Sequence, residues 1–198
     1  SSEKIDVSVN SKTDDRTGTE TGTRTGYYLR KFTRDAINLD PPVGSKHKHY
    51  TTRIRYTELF LDYAEMANEA FGPTGNGANG YSAYDVIKAL RQRAGIISDN
   101  YLESIKDNKD EMRKLIRNER RIELCFEGKR FWDLRRWKVD LDKLNEPAKG
   151  MRITVDMGKT TYEVIDVAER NFKEYMYYAP IPYYEVLKFS ALQQNTGW

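Results

Sequence analysis

One stretch, residues 115–137, constrains this chain more than any other: LIRNERRIELCFEGKRFWDLRRW. Glu119, Glu123 and Glu127 recur every fourth residue. On a helix they form a stripe of like charge, which by itself destabilises the helix. The stripe becomes favourable if arginines meet it, because guanidinium and carboxylate pair through two parallel hydrogen bonds. Arg120, Arg121, Arg130, Arg135 and Arg136 stand close by in sequence. Met112, Leu115, Ile116, Ile122 and Phe126 fall mainly on one helical face. Gly128 is placed to end the helix in a left-handed cap, and Phe131, Trp132, Leu134 and Trp137 supply a second apolar segment. The spacing predicts a helix, a turn and a short helix. A partly buried ionic network staples them, drawn from Glu119, Arg120, Arg121, Glu123, Glu127, Arg130, Asp133, Arg135 and Trp137, with Glu123 substantially buried and paired to an arginine.

Other readings of the block meet physical objections. A solvated Arg/Glu face does not need the aromatics that crowd its end. Nucleic-acid binding sits badly with 33 basic against 30 acidic residues and a net charge of +3, since a phosphate-binding surface needs an excess of base. A glutamate ringed by arginines stays ionised and makes a poor general acid. The chain shows no nucleophile–base pair, metal cluster or nucleotide loop, so neither an enzyme nor a cofactor is expected.

The rest of the chain reads as one domain in three parts. Residues 1–26 are a polar surface segment whose run 17–26 has no apolar residue and cannot join a core. Residues 51–137 are helical. Residues 138–198 hold a loop, a β-hairpin and a C-terminal tail. Residues 27–32 are short and aromatic, so a strand is expected there. Residues 40–45 form a loop by their prolines and glycine. His47 and His49 would share one face of a strand, but no further ligand stands near in sequence to complete a metal site. The lone Cys125, between Leu124 and Phe126, is expected to be a buried, inert thiol. No apolar run is long enough to span a membrane.

Helices are expected over about 55–71, 82–94 and 108–126. The first places Leu59, Tyr63, Ala67 and Ala70 on one face and stops at Gly72-Pro73. The second opens with a capping box, Ser82 and Asp85, aligns Tyr84, Ile87, Leu90 and Ala94, and ends at Gly95. A helix over 129–137 would pair with the third as a second hairpin. Tyr63, Tyr84, Phe126 and Trp132 are assigned to packing. After Pro147 and Gly150, which mark a loop, 151–155 and 161–165 alternate around 156–159 and predict a β-hairpin. A turn or short helix is expected over 184–187, and Trp198 is expected to be tied down by packing. The fold class is mainly α: tetratricopeptide-like helical hairpins with long loops and one small β-hairpin. A single hairpin is a weak repeat signal.

The 115–137 block resembles the hallmark near the C-terminus of the SusD/RagB family of outer-membrane lipoproteins from Bacteroidetes. Further segments agree in order: Ile54-Arg55-Tyr56 leading into residues 61–65, Leu90-Arg91-Gln92-Arg93-Ala94-Gly95, Pro180-Ile181-Pro182, and Gln194 to the terminal Trp198. The resemblance covers about 26–198 and corresponds to the C-terminal part of a family member. It implies a non-catalytic, cell-surface protein that binds glycan or another nutrient and partners a TonB-dependent, SusC-like transporter. It also implies an N-terminal lipid anchor outside this chain; that no nucleic-acid partner is expected follows from the charge balance above. Sugar capture would use stacking on aromatics such as those among the 14 tyrosines, with hydrogen bonds from amides and acids. Loop residues Asn76, Asn79 and Tyr81 are the candidates for such contacts here. The alternative is a tetratricopeptide-like scaffold that grips a protein or peptide.

Overall fold

Small residues decide how the helical part packs. In the computed structural model of the chain, which describes residues 6–11, 15, 22–34, 36–37, 44–45, 47–48, 50 and 52–198, α1 (Tyr56–Phe71) buries Thr57, Leu61, Ala64, Ala67 and Asn68. His49, residues 40–43 of the proline loop and residues 1–5, 12–14 and 16–21 of the polar segment lie outside the described residues. The chain divides into two compact units, Lys46–Asp133 and Ser1–Ser45 with Leu134–Trp198. Among the described residues it is mainly helical, with one antiparallel β-hairpin.

In the Lys46–Asp133 unit, α1 packs against α2 (Ala83–Arg93) and α4 (Lys109–Glu123), and α3 (Asn100–Ile105) packs against α4. α2, α3 and α4 each start where the sequence provides a side-chain cap, whereas Arg55 at the start of α1 makes none. Ser82 and Asp85 form the expected capping box: Asp85 N–H donates to Ser82 Oγ at 3.2 Å and Ser82 N–H donates to Asp85 Oδ2 at 2.8 Å. Asp99 accepts from Leu102 N–H at 3.0 Å and opens α3. Asn108 accepts from the amides of Asp110 and Glu111, both at 3.1 Å, and opens α4. Gly72 N–H donates to Asn68 O at 3.0 Å, and Pro73 follows, so α1 cannot continue.

The core joins Leu61, Ala64 and Ala67 of α1 to Val86 and Ile87 of α2, Leu102 and Ile105 of α3, and Met112, Leu115 and Ile116 of α4. Each large member contributes about 1.5–3 kcal/mol by leaving water. Asn68, fully buried, donates from Nδ2 to Lys109 O at 3.0 Å and ties α1 to the start of α4.

Several expectations are corrected. The buried stripe of α1 runs through Thr57, Leu61, Ala64 and Asn68, while Leu59 and Ala70 face solvent. α1 carries two apolar stripes, and the close approach permitted by Ala64 and Ala67 selects one. Ala94 of the second helix is exposed. α4 ends at Glu123 rather than 126, and both Ile122, still within the helix, and Phe126, beyond it, are exposed instead of continuing the apolar face. Gly128, at φ +75°, does not cap α4; it lies in the turn that leads into α5 (Arg130–Arg136), and Phe126 itself takes φ +62°. α4 packs chiefly on α1 and α3, not on α5 as a second hairpin. Phe126 and Trp132 are exposed, whereas Tyr63 and Tyr84 do pack against the core. Cys125 is half-buried.

In the other unit, α6 (Leu141–Asn145) precedes β1 (Ala148–Asp156) and β2 (Lys159–Ala168). The two strands pair antiparallel, from Ala148 opposite Ala168 to Asp156 opposite Lys159. Met157 and Gly158, both at positive φ, make the two-residue turn that suits the twist of a hairpin. The strands are longer than expected. Gly150 stands inside β1 opposite Ile165, not in a loop, and the strand needs glycine there because a Cβ would come within 2.9 Å of Thr25 O. Residues 27–32 form no strand; Tyr27, Tyr28, Leu29 and Phe32 are exposed and have no ladder. The backbone of β1 meets Thr25 and Val9 instead: Met151 N–H donates to Thr25 O at 2.8 Å and Val9 N–H to Ile153 O at 2.9 Å.

The C-terminal tail holds itself in place. Gln194 both accepts from Ile181 N–H at 2.8 Å and donates to Ile181 O at 2.7 Å. Trp198 Nε1–H donates to Tyr178 O at 3.0 Å, and its ring meets Tyr175 edge-on at 5.0 Å. α7 (Tyr183–Lys188) is the short helix anticipated near 184–187.

Candidate functional site

The glutamate stripe is met by arginines, but not by those beside it in sequence. Arg55, the residue that opens α1, donates from Nε to both Glu127 oxygens at 3.0 and 2.9 Å. Its Nη1 donates to Glu123 Oε1 at 2.7 Å and its Nη2 to the Glu123 carbonyl at 2.6 Å. That carbonyl is one of those a helix leaves unsatisfied at its C-terminal end. One guanidinium thus closes α4 and pins the turn after it. Arg93, near the end of α2, adds a second contact to Glu123 at 2.8 Å. Glu123 is therefore paired twice, but its side chain is 26% exposed rather than buried. Burial pushes its carboxyl up, and the Arg93 and Arg55 guanidiniums more than offset this, holding it below the usual carboxylate range. Arg55 is raised above its ordinary value, chiefly by its hydrogen bond to Glu127.

Glu119 receives Arg91 Nη1 at 2.5 Å. Arg91 Nε also pairs with Asp99, whose carboxyl is held low by that contact. One arginine therefore links α2, the cap of α3 and α4. Arg120 turns inward. Its Nε and Nη2 meet the two oxygens of Asp133, each at 3.1 Å, and its Nη1 pairs with Asp62 of α1. Lys129 joins Glu58 of α1 at 2.8 Å. Arg121 and Arg130 are exposed. In the other unit Arg135 donates to Met176 O at 3.0 Å and sits over the Phe172 ring, and Arg136 covers Trp137. The stripe itself was legible in sequence; Arg55, Arg91 and Arg93 as its partners were missed. Their signal lay in the Ile54-Arg55-Tyr56 and 90–95 segments that resemble the same family.

A groove of about 590 Å³ lies along α1 and α2 in this unit. Tyr56 and Phe60 of α1, a helical turn apart, form one wall, with ring centroids 6.4 Å apart. Val86, Ala89, Leu90 and Arg93 of α2 form the other, and Tyr81 closes one end. Tyr81 is anchored by Tyr63, whose hydroxyl donates to its carbonyl at 2.7 Å and whose ring lies 4.9 Å away. Asn76 and Asn79 are exposed in the α1–α2 connector and do not line the groove, so the structure does not bring the three candidates together in it. Among the described residues no group of three His, Cys, Asp or Glu side chains could hold a metal ion, and no helix is long and apolar enough to cross a membrane.

Comparison with known proteins gives a consistent result. The SusD family matches residues 4–198. A SusD-like protein P2 of Formosa agariphila is 36% identical over a stretch that covers 43% of this chain and 16% of that protein. The crystal structure of a SusD-like protein from Bacteroides fragilis superposes with a TM-score of 0.70 at 27% identity, over 91% of this chain and 32% of that one. The chain thus spans about a third of the length of its solved relative.

Proposed function

The chain belongs to the SusD family, a family of non-catalytic binding proteins, and on that premise we propose that it is part of a cell-surface protein that captures oligosaccharide or another nutrient. The protein delivers its ligand to a TonB-dependent, SusC-like transporter in the outer membrane and is held at the surface by an N-terminal lipid. The observation that carries this reading is the family match over residues 4–198, joined to the solved relative's agreement over 91% of the chain.

The helical unit is the rigid support of that protein. α1 and α2, joined by the 72–82 connector, read as a tetratricopeptide-like hairpin, with α4 stacked on it. The arginine network fixes how these helices meet and has no substrate-facing role. Sugar capture normally needs several donors and acceptors converging in one concave site. Asn76, Asn79 and Tyr81 supply contacts only as part of a larger surface.

Titration calorimetry against a panel of oligosaccharides tests the proposal. The intact protein binds at least one of them, and the 198-residue chain binds weakly or not at all. Micromolar binding by the chain alone would place a complete site within these residues. Absence of binding by the intact protein to every glycan and small nutrient tested would overturn the reading.

A further inference from the structure

An asparagine followed by glycine is chemically fragile. The backbone nitrogen of the next residue can attack the side-chain carbonyl carbon. Glycine neither shields that nitrogen with a side chain nor restricts the rotation that brings the two together. The chain has two such pairs, Asn76-Gly77 and Asn79-Gly80, and both fall in the connector between α1 and α2. Both asparagines are exposed and lie outside any helix, where a hydrogen-bonded backbone would hold the nitrogen away. Asn68 is the contrast: it is fully buried within α1 and is followed by glutamate. The structure also separates the two pairs. Gly77 lies against the Phe71 ring, so that a Cβ there would come within 2.7 Å of Phe71 Cε2. Gly80, at φ +77°, has open space on that side, with nothing within 4 Å of such a Cβ. Ring closure must swing the glycine nitrogen toward the asparagine side chain, and of the two glycines Gly80 is the one clear of a packed neighbour.

We propose that Asn79 is a site of spontaneous deamidation. The Gly80 nitrogen gives its proton to solvent base and bonds to Asn79 Cγ. The Cγ–Nδ2 bond breaks and ammonia leaves, closing a succinimide. Water then adds to one of the two ring carbonyls. Opening at Cγ gives aspartate; opening at the Asn79 backbone carbonyl gives isoaspartate, whose main chain runs through Cβ. One water is consumed, one ammonia is released, and nothing is oxidised or reduced. Either product places a negative charge two residues before Tyr81. The isoaspartate also lengthens the main chain just ahead of the Tyr81 carbonyl, which the Tyr63 hydroxyl holds at 2.7 Å. Asn79 is one of the candidate sugar contacts, so aged protein presents a carboxylate where fresh protein presents an amide. The chemistry needs no ligand and no transporter, so it stands or falls apart from the nutrient-capture reading.

Incubation of the intact protein in mildly alkaline buffer made with heavy-oxygen water tests it. Trypsin, which cuts after lysine and arginine, releases residues 56–88 as one peptide that carries Asn68, Asn76 and Asn79, so tandem mass spectrometry places the change. Asn79 should take up heavy oxygen as a mixture of aspartate and isoaspartate, several times faster than Asn76, while Asn68 stays an amide. Unfolding in guanidinium chloride frees Gly77 from Phe71 and should bring the rates at Asn76 and Asn79 together. Asn79→Gln, whose longer side chain would have to close a larger ring, should abolish the acidic product at this position and leave the melting temperature unchanged. Conversion of Asn76 as fast as Asn79 in the folded protein overturns the proposal. So does an Asn79 that stays an amide in the folded protein over the time in which the unfolded chain converts.

Discussion

Asp133→Ala should be the most damaging single change in the ionic network. The Arg120 and Asp133 side chains are 4% and 5% exposed and face each other through two hydrogen bonds of 3.1 Å. Deleting the carboxylate strands a guanidinium out of water, which costs about 3–5 kcal/mol when no partner remains. Asp62 survives as a partner, but it is 40% exposed and holds a single nitrogen, so the net loss should be about 2–4 kcal/mol. Glu123→Ala, for which sequence alone suggests the full buried-pair cost, should lose only about 1–2 kcal/mol. Its partner Arg93 is 54% exposed and rehydrates, and Arg55 keeps Glu127. Urea unfolding followed by circular dichroism resolves the difference: with a slope of about 2 kcal/mol per molar, Asp133→Ala lowers the midpoint by roughly 1–2 M and Glu123→Ala by about half of that. Replacing the pair together, Arg120→Met with Asp133→Leu, should recover most of the loss, because no charge is then left alone. The reasoning is refuted if Glu123→Ala costs as much as Asp133→Ala, or if the double replacement is as unstable as the single one.

Acid should act through the same carboxylates. Glu69, Asp85, Asp99 and Glu123 are all held below their ordinary values, led respectively by Arg113, by the Ser82 amide, by Arg91, and by Arg93 and Arg55 against burial. A depressed folded value means that these groups stabilise the fold fully above their unfolded values near pH 4 and lose that contribution as the pH falls through the lower folded values. The melting temperature should therefore be flat between about pH 7 and 5 and fall below about pH 4, and a fall already complete at pH 5 would contradict the assignment. Arg55→Lys should destabilise the helical unit despite keeping the charge, because an ammonium cannot reach Glu127, Glu123 and the Glu123 carbonyl at once; an unchanged urea midpoint would show that charge alone matters. Ser82→Ala should cost about 1 kcal/mol by removing the cap of α2, read as a lower midpoint with an unchanged slope.

The helices were legible in sequence because their signals are local. Ser82 with Asp85, Gly72-Pro73 and the recurrence of apolar residues each act within a turn or two. What escaped is set by distant partners. Period shows that α1 has an apolar stripe, but the choice between Leu59 and Leu61 belongs to the helices packed on Ala64 and Ala67. The glutamate stripe signalled a network, yet Arg55 lies 68 residues from Glu123 and Arg91 lies 28 from Glu119, separations that no spacing rule reports. α3 and α6 are too short to show a helical period. Residues 27–32 have strand-like composition, but a strand forms only with a partner, and Thr25 and Val9 meet β1 instead. Of the proposed sugar-contact residues, Tyr81 joins a groove because Tyr63 anchors it, a contact between a helix and a loop 18 residues on. Asn76 and Asn79 have no comparable anchor in that groove.

The central claim, that this chain belongs to a nutrient-capture protein working with an outer-membrane transporter, is tested most directly by affinity capture of the intact protein from mildly solubilised outer membranes of its source cells, with co-purified proteins identified by mass spectrometry. The account predicts a TonB-dependent transporter retained in near-equal amount with the captured protein. Capture of the intact protein from such membranes without any TonB-dependent transporter would contradict it.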